Sequence, residues 1–199
     1  MSFRAYPKIH RLGKEETDGI LDGHVDIQEK IDGANVSMWW DEEAGMVKCG
    51  TRTRELPLDE SFNGFQEAVR ANPKIYEFLK GSDYRLYGEW LVKHTITYPD
   101  EAYKKIYLFD IRLDNDKVYM SQDTVQSVAK ALDLEYPQMF AERVIVKEDE
   151  IKEHVGKSFI AANGEGVVIK SRDFRNRFGD HAYAKVVHEK FKESNAIVF

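Results

Sequence analysis

Only one cysteine, Cys49, occurs in the 199 residues of this chain. An internal disulfide and a cysteine-built zinc site are therefore excluded, and the usage fits a reducing cytoplasm. No run approaches the roughly 20 apolar residues of a membrane span, so no membrane partner is expected. The opening Met1-Ser2-Phe3-Arg4-Ala5-Tyr6 has no apolar h-region, so no secretory signal is expected. Repeats, low-complexity tracts and Gly/Ser linkers are lacking, and five prolines and 13 glycines are scattered singly. One domain over residues 1–199 is the simplest reading. The six histidines show no His-x-x-x-His spacing and no neighbouring ligand cluster, so each reads as a surface or core histidine. Net positive charge is missing too. With 29 Lys and Arg against 35 Asp and Glu the chain carries −6. A bulk basic field cannot draw it to nucleic acid, and local clusters would have to do so.

What is present is an ordinary soluble composition, 42% hydrophobic and 32% charged. Short strand-like runs dominate: 24–29, 35–40, 46–51, 84–91, 105–111, 117–119, 166–170 and 182–187. Residues 113–117, Leu-Asp-Asn-Asp-Lys, read as a hairpin turn. Helical signals fall between. Ser61 caps a helix through Val69 with Phe62, Phe65 and Val69 on one face. Pro73 opens a short helix that Gly81 stops. Ser121 caps a helix through Leu132 with Val125, Val128, Ala129 and Leu132 as its stripe, and a short helix runs over 148–154. The strands are not separated by regular helices, which argues against a doubly wound parallel sheet and for a mostly antiparallel α+β fold.

Two conspicuous features are set aside. Val155-Gly156-Lys157-Ser158 resembles the end of a phosphate-binding loop, but the glycine that motif requires five residues before Gly156 is Ile151, so a plain loop is expected. Trp39-Trp40 lies in a strand, where alternation sends one ring to each side; one is expected in the core and the other partly exposed.

The chemistry concentrates in Gln28-Glu29-Lys30-Ile31-Asp32-Gly33-Ala34-Asn35. A lysine ending a strand before an Asp-Gly turn is well placed as a nucleophile. Its amine attacks only when unprotonated, and neighbouring cations and partial burial lower its pKa from about 10.4. Further segments follow in order: Cys49-Gly50-Thr51-Arg52-Thr53-Arg54, Tyr87-Gly88-Glu89-Trp90, Tyr107-Leu108-Phe109-Asp110-Ile111, residues 164–170 (Gly-Glu-Gly-Val-Val-Ile-Lys), and Tyr183-Ala184-Lys185-Val186-Val187.

This ordered series resembles the covalent nucleotidyltransferase superfamily of polynucleotide ligases and mRNA capping enzymes. Glu-Lys-Ile-Asp-Gly-Ala-Asn followed by Gly-Thr-Arg is most similar to the phage RNA ligase 2 type. The opening Tyr6-Pro7-Lys8-Ile9 also resembles the start of that family's domain, and the likeness spans about residues 6 to 191.

The resemblance implies an ATP-dependent RNA ligase with the nucleotidyltransferase (ligase catalytic core) fold, its antiparallel sheets flanking a nucleotide-binding cleft. Lys30 corresponds to the lysine that attacks the α-phosphate of ATP. The AMP it acquires passes to a 5′-phosphate of RNA, and a 3′-hydroxyl then seals the strand. Arg52 and Lys185 correspond to catalytic cations, and both, with Lys170, to phosphate contacts. Glu89 corresponds to the ribose-binding glutamate, Phe109 to the aromatic that stacks on adenine, and Glu165 to the glutamate associated with Mg2+ or Mn2+. Glu29, just before the nucleophile, either receives the adenine edge through its backbone or only shapes the strand. Asn35 and Arg54 are candidate nucleic-acid contacts, and Asn35 favours an RNA ligase over a capping enzyme. Arg172, Arg175 and Arg177 mark either a phosphate-contacting loop or a solvated turn.

The chain departs from the pattern in three places. Asp32 stands where the closest relatives often have another residue, and Lys-x-Asp-Gly is the form that DNA ligases and other RNA ligases use, so this position does not separate them. Val187 stands where the family often has a second lysine, so phosphate neutralisation falls to Lys185 or to nearby Lys190. Only eight residues follow Phe191, so neither an oligonucleotide-binding barrel nor another C-terminal domain is expected. Weak, salt-sensitive binding of RNA, as a nicked duplex or an RNA/DNA hybrid, is therefore expected. A protein partner could supply the missing grip, and the protein itself is expected to be a cytoplasmic monomer. Two alternatives stand beside this reading: a minimal ATP-dependent DNA ligase, and a non-catalytic nucleotide- or nucleic-acid-binding module of the same fold.

Overall fold

The computed structural model describes residues 1–179 and 181–189; Lys190 and Phe191 lie outside the described residues. In chain order the strands and helices are β1 (His10–Arg11), β2 (Val25–Lys30), β3 (Ala34–Asp41), β4 (Met46–Thr51), α1 (Phe65–Arg70), α2 (Pro73–Leu79), β5 (Tyr84–Trp90), β6 (Ile106–Leu113), β7 (Val118–Tyr119), α3 (Gln122–Ala131), β8 (Met139–Val144), α4 (Glu148–Lys152), β9 (Gly166–Lys170) and β10 (Ala184–Val187). The chain divides into two compact units, each with its own sheet. One comprises Met1–Pro7, Asp32–His94 and Pro99–Pro137; the other comprises Lys8–Ile31, Thr95–Tyr98 and the described residues from Gln138 onward. The fold is mixed α+β with two mostly antiparallel sheets, as the strand spacing led us to expect.

In the first unit the strand order is β4-β3-β5-β6-β7, antiparallel throughout. Alternation sends Val36, Met38 and Trp40 of β3 to one face, where they join Leu86 and Trp90 of β5 and Leu108 and Ile111 of β6. Phe65 and Val69 of α1, Ile75 and Leu79 of α2, and Val125 and Ala129 of α3 pack in the same cluster. The Asn72 side chain caps α2, accepting from the Lys74 N–H at 3.0 Å with Pro73 in the first turn, and Ser121 caps α3 by accepting from the Thr124 N–H at 3.3 Å. The first helix begins later than expected. Phe62, Asn63 and Gly64 all have positive φ (49°, 57° and 88°), so helical backbone starts only at Phe65, and Ser61 instead accepts from the Gly64 N–H at 2.9 Å.

Both tryptophans of Trp39-Trp40 are buried, contrary to expectation. Trp40 belongs to the core cluster just described. Trp39 points to the opposite face, which the N-terminal segment covers. Its indole N–H donates to the Met1 carbonyl at 3.0 Å, Phe3 packs on it at 6.0 Å between ring centroids, and the Arg85 guanidinium lies 4.6 Å from its ring. Gly50 makes room for Phe3, because a Cβ there would stand 2.9 Å from its ring.

In the second unit the order is β1-β10-β9-β2-β8, antiparallel except for the β1–β10 pair. Val25 and Ile27 of β2, Val167 and Ile169 of β9, and Ala184 of β10 share a core with Ile20 and Ile151. Strand β8 was not anticipated. It is a bulged edge strand carrying Glu142 and Arg143, with register shifts against β2 and a positive φ of 51° at Arg143, so its alternation is broken. The Val155–Ser158 segment follows α4 as a turn, with Gly156 at φ 85°, rather than joining a strand to a helix.

Candidate active site

Register decides which side chains of the second unit share a face. Lys30 pairs with Gly166, and Gly166 with Val187; one row along, Gln28 pairs with Val168 and Val168 with Lys185; Asp26 pairs with Lys170. Because side chains alternate, Lys30, Lys170 and Lys185 all lie on the face opposite Ile27, Val167 and Ile169. Gly166 leaves the row between Lys30 and Val187 open. A Cβ there would stand 2.1 Å from the Val186 carbonyl oxygen, so glycine is also what lets β9 and β10 pair.

Glu165, immediately before β9, reaches the nucleophile candidate: Lys30 Nζ lies 2.6 Å from Glu165 Oε2. Lys170 is buried, with its ammonium 5.4 Å from the centre of the Tyr183 ring. Lys185 is half-buried.

Glu29 lies on the other face of β2. Its side chain accepts from the Ser158 hydroxyl and from the Phe159 N–H at 3.3 Å, and its own N–H donates to the Gln138 carbonyl at 2.8 Å. Burial raises the Glu29 pKa, an effect the two accepted hydrogen bonds partly offset. The glycine-lysine-serine segment set aside above is therefore the loop that this carboxylate holds.

The first unit carries the other candidates. Asn35, Glu89 and Tyr107 form one cross-strand row on the face opposite the core. Among the described residues the buried Asn35 Oδ1 has no hydrogen-bond partner, which leaves it able to accept from a ligand. Phe109 is the extra residue of a β-bulge: Tyr87 pairs with Asp110 and Gly88 with Leu108, so Phe109 falls outside the β5–β6 register and is half-buried. Gly33 packs against the end of β5, where a Cβ would meet the Trp90 carbonyl oxygen at 2.6 Å.

Arg52 is exposed in the turn after β4, which the Thr51 N–H closes onto the Arg54 carbonyl at 2.8 Å. Arg54 grips Glu60 through two hydrogen bonds of 2.8 and 2.7 Å, so its fork is already engaged. Arg172 and Arg177 are exposed, and Arg175 is tied into its turn by the Phe174 carbonyl at 3.0 Å and His181 Nδ1 at 2.7 Å.

Two participants escaped the sequence reading. His94 Nδ1 lies 2.6 Å from the buried Asp32 carboxylate, and Tyr6 packs against Phe109. No spacing rule connects residues 32 and 94. Among the described residues no group of three His, Cys, Asp or Glu side chains could hold a metal ion. The single carboxylate of Glu165 fits a Mg2+ or Mn2+ held chiefly by water and substrate phosphates.

A lysine at the end of a strand, paired to a glutamate and accompanied by two further lysines on the same sheet face, belongs to an α+β fold shared with solved RNA ligases. Three structures of the Naegleria gruberi RNA ligase illustrate the likeness. A variant with ATP and Mn matches with a TM-score of 0.71 and 19% identity over 96% of this chain and 58% of that one. Another with AMP and Mn matches at 0.70 and 20%, over 94% and 56%, and the enzyme with PPi at 0.64 and 19%, over 96% and 59%. The chain thus spans less than two thirds of the length of these proteins. No curated protein matches it by sequence. Residues 23–187 match the RNA ligase family, and the chain belongs to that family.

Proposed function

We propose that the chain is an ATP-dependent RNA ligase that works through a covalent lysyl-AMP and has the nucleotidyltransferase fold. The Lys30–Glu165 pair on the three-lysine face is the observation that carries this reading. Family membership supports it, as does the ATP, AMP and Mn named for the similar structures.

In the first step Lys30 Nζ, having given up a proton, attacks the α-phosphorus of ATP. The bond to the β-phosphate oxygen breaks and pyrophosphate leaves. Glu165 orients the amine beforehand, and Lys170 and Lys185 offset the charge developing on phosphate. Glu89 accepts from the ribose hydroxyls, and Phe109 gives the adenine a face to stack on. A divalent metal, when bound, neutralises phosphate charge, with Glu165 as its protein partner. A 5′-phosphate oxygen of RNA then takes AMP from Lys30. Attack by a 3′-hydroxyl on that phosphorus forms the phosphodiester bond and releases AMP, with Arg52 and Asn35 contacting the ends being joined.

The test is intact mass after incubation with ATP and Mg2+. A gain of one AMP is expected, absent in Lys30→Ala and absent with GTP, followed by transfer to 5′-phosphorylated RNA. Protein that neither gains AMP nor loses mass on treatment with pyrophosphate overturns the reading, because the second treatment reveals enzyme isolated already adenylated.

A further inference from the structure

We propose that Glu29 and Ser158 form a clasp that sets the Lys30–Glu165 pair, with Ser158 as a positioning residue for the adduct-forming step. This deepens the proposed function and rests on Lys30 being the nucleophile and Glu165 its partner.

Glu29 and Lys30 are consecutive on β2, so their side chains leave opposite faces of the sheet. Lys30 meets Glu165 on one face. On the other, the buried Glu29 carboxylate accepts from the Ser158 hydroxyl and, at 3.3 Å, from the Phe159 N–H. Ser158 and Phe159 lie in the loop that runs into Glu165. One strand thus grips the segment 158–165 twice, at Ser158 from one face and at Glu165 from the other.

The Ser158 hydroxyl has a fixed direction. Its oxygen accepts from the Ile160 N–H at 3.0 Å and from the Ala161 N–H at 2.9 Å, which occupies both lone pairs. Its single proton is therefore committed to Glu29. The same hydroxyl closes the turn at 158–161 and ties that turn to β2.

The loop carries this hold to Glu165. Its neck is closed by the Gly164 N–H, which donates to the Gly156 carbonyl at 2.8 Å. Gly164 packs so closely on the other side of the neck that a Cβ would run into the Lys157 carbonyl. Beyond the neck, the Glu165 carbonyl accepts from the His188 N–H at 2.8 Å, and Gly166 pairs with Lys30. At the far end of the loop the Phe159 ring packs on Phe140 of β8, with centroids 4.7 Å apart, and Phe140 stacks on His154 at 5.0 Å. Strand β2 lies between β8 and β9, so the loop spans the nucleophile's strand from one neighbour to the other. A glutamate whose backbone is fixed before and after it presents one geometry to the amine, and misplacing a reacting group by about 1 Å costs up to about a hundredfold in rate.

The experiment measures adduct formation by intact mass against ATP concentration, using the full chain as wild type, Ser158→Ala, Glu29→Gln, Glu165→Gln and Ser158→Ala/Glu165→Gln. Ser158→Ala is expected to lower the maximal rate about tenfold, with the ATP concentration at half-maximal rate unchanged. Glu29→Gln, which retains one accepting oxygen, is expected to lower the maximal rate about threefold and tests the clasp where the alanine variant does not fold. In the Glu165→Gln background Ser158→Ala is expected to add nothing.

Four results overturn the clasp: Ser158→Ala and Glu29→Gln that keep the maximal rate of wild type, a Ser158→Ala loss that persists undiminished without the Glu165 carboxylate, a loss that falls on the half-maximal ATP concentration instead of the maximal rate, or a Glu165→Gln variant as fast as wild type. A wild type that neither gains AMP nor loses mass with pyrophosphate overturns the proposed function itself, so the two failures are distinguishable.

Discussion

Lys30 and Val187 stand in one cross-strand row of the second unit's sheet, with Gly166 between them. Strands are spaced about 4.8 Å apart, so a side chain at 187 begins about 10 Å from the backbone of the nucleophile candidate, on the same face. Val187 is half-buried, which lets a longer side chain lie along the face and reach solvent. Val187→Lys is therefore expected to raise the rate of adduct formation about threefold or more at subsaturating ATP, by adding a cation where phosphate charge develops. A time course of intact mass checks this; an unchanged or slower rate contradicts it.

Replacing Glu165 separates chemistry from stability. The ion pair to Lys30 is partly exposed on both sides, 23% and 13%, so its net contribution to folding is about 0–1 kcal/mol. Glu165→Gln is expected to move the melting temperature by less than about 4 °C while slowing adduct formation about a hundredfold. Parallel calorimetry and mass measurements check both halves, and loss of stability matching the loss of rate would indicate a merely structural glutamate.

Glu29 gives a pH dependence with a definite sign. Burial raises its pKa above the ordinary 4.5, so the folded chain holds a proton that the unfolded chain has already released. The stability this group contributes is present below about pH 4.5 and is lost as pH rises through the folded value. A glutamine lacks that titration and still accepts through its carbonyl. The stability of Glu29→Gln relative to wild type is thus expected to grow as pH rises from 4.5 towards neutrality, read from urea unfolding at several pH values. A difference flat with pH would sink the assignment.

Cys49 reports on opening of the first unit. Burial pushes its thiol from 9.0 up to about 12, which lowers its thiolate fraction about a thousandfold at pH 8. Labelling by a disulfide reagent is expected to be slower than in the urea-unfolded protein by at least that factor, and to follow opening of the β3–β4 pair. Rapid labelling of the native protein would contradict the burial.

How much was legible in advance can be judged residue by residue. The strands around Lys30, Glu89 and Phe109 were readable because β-branched and aromatic residues recur there, and two of the helices because Pro73 and Ser121 announce them, whereas the Asn72 cap was seen only in the structure. Strand β8 was not readable, since its bulge breaks the alternation on which strand recognition depends. Nor was the late start of α1, which three left-handed residues impose. The fate of Trp39 could not be read either, because alternation says which way a ring points and not what covers it.

The sequence by itself determined the family, the α+β class and the order of the chemical segments, because these are properties of residue identity, spacing and local periodicity. The tertiary structure alone decided which of those residues meet. It brought Glu165 to Lys30 across 135 positions, set three lysines on one sheet face by strand register, turned Phe109 out through a bulge and covered Trp39 with the first residues of the chain. The reason is physical. Pairing register and long-range packing join segments whose separation along the chain carries no local signal, so they exist only once the sheets have closed.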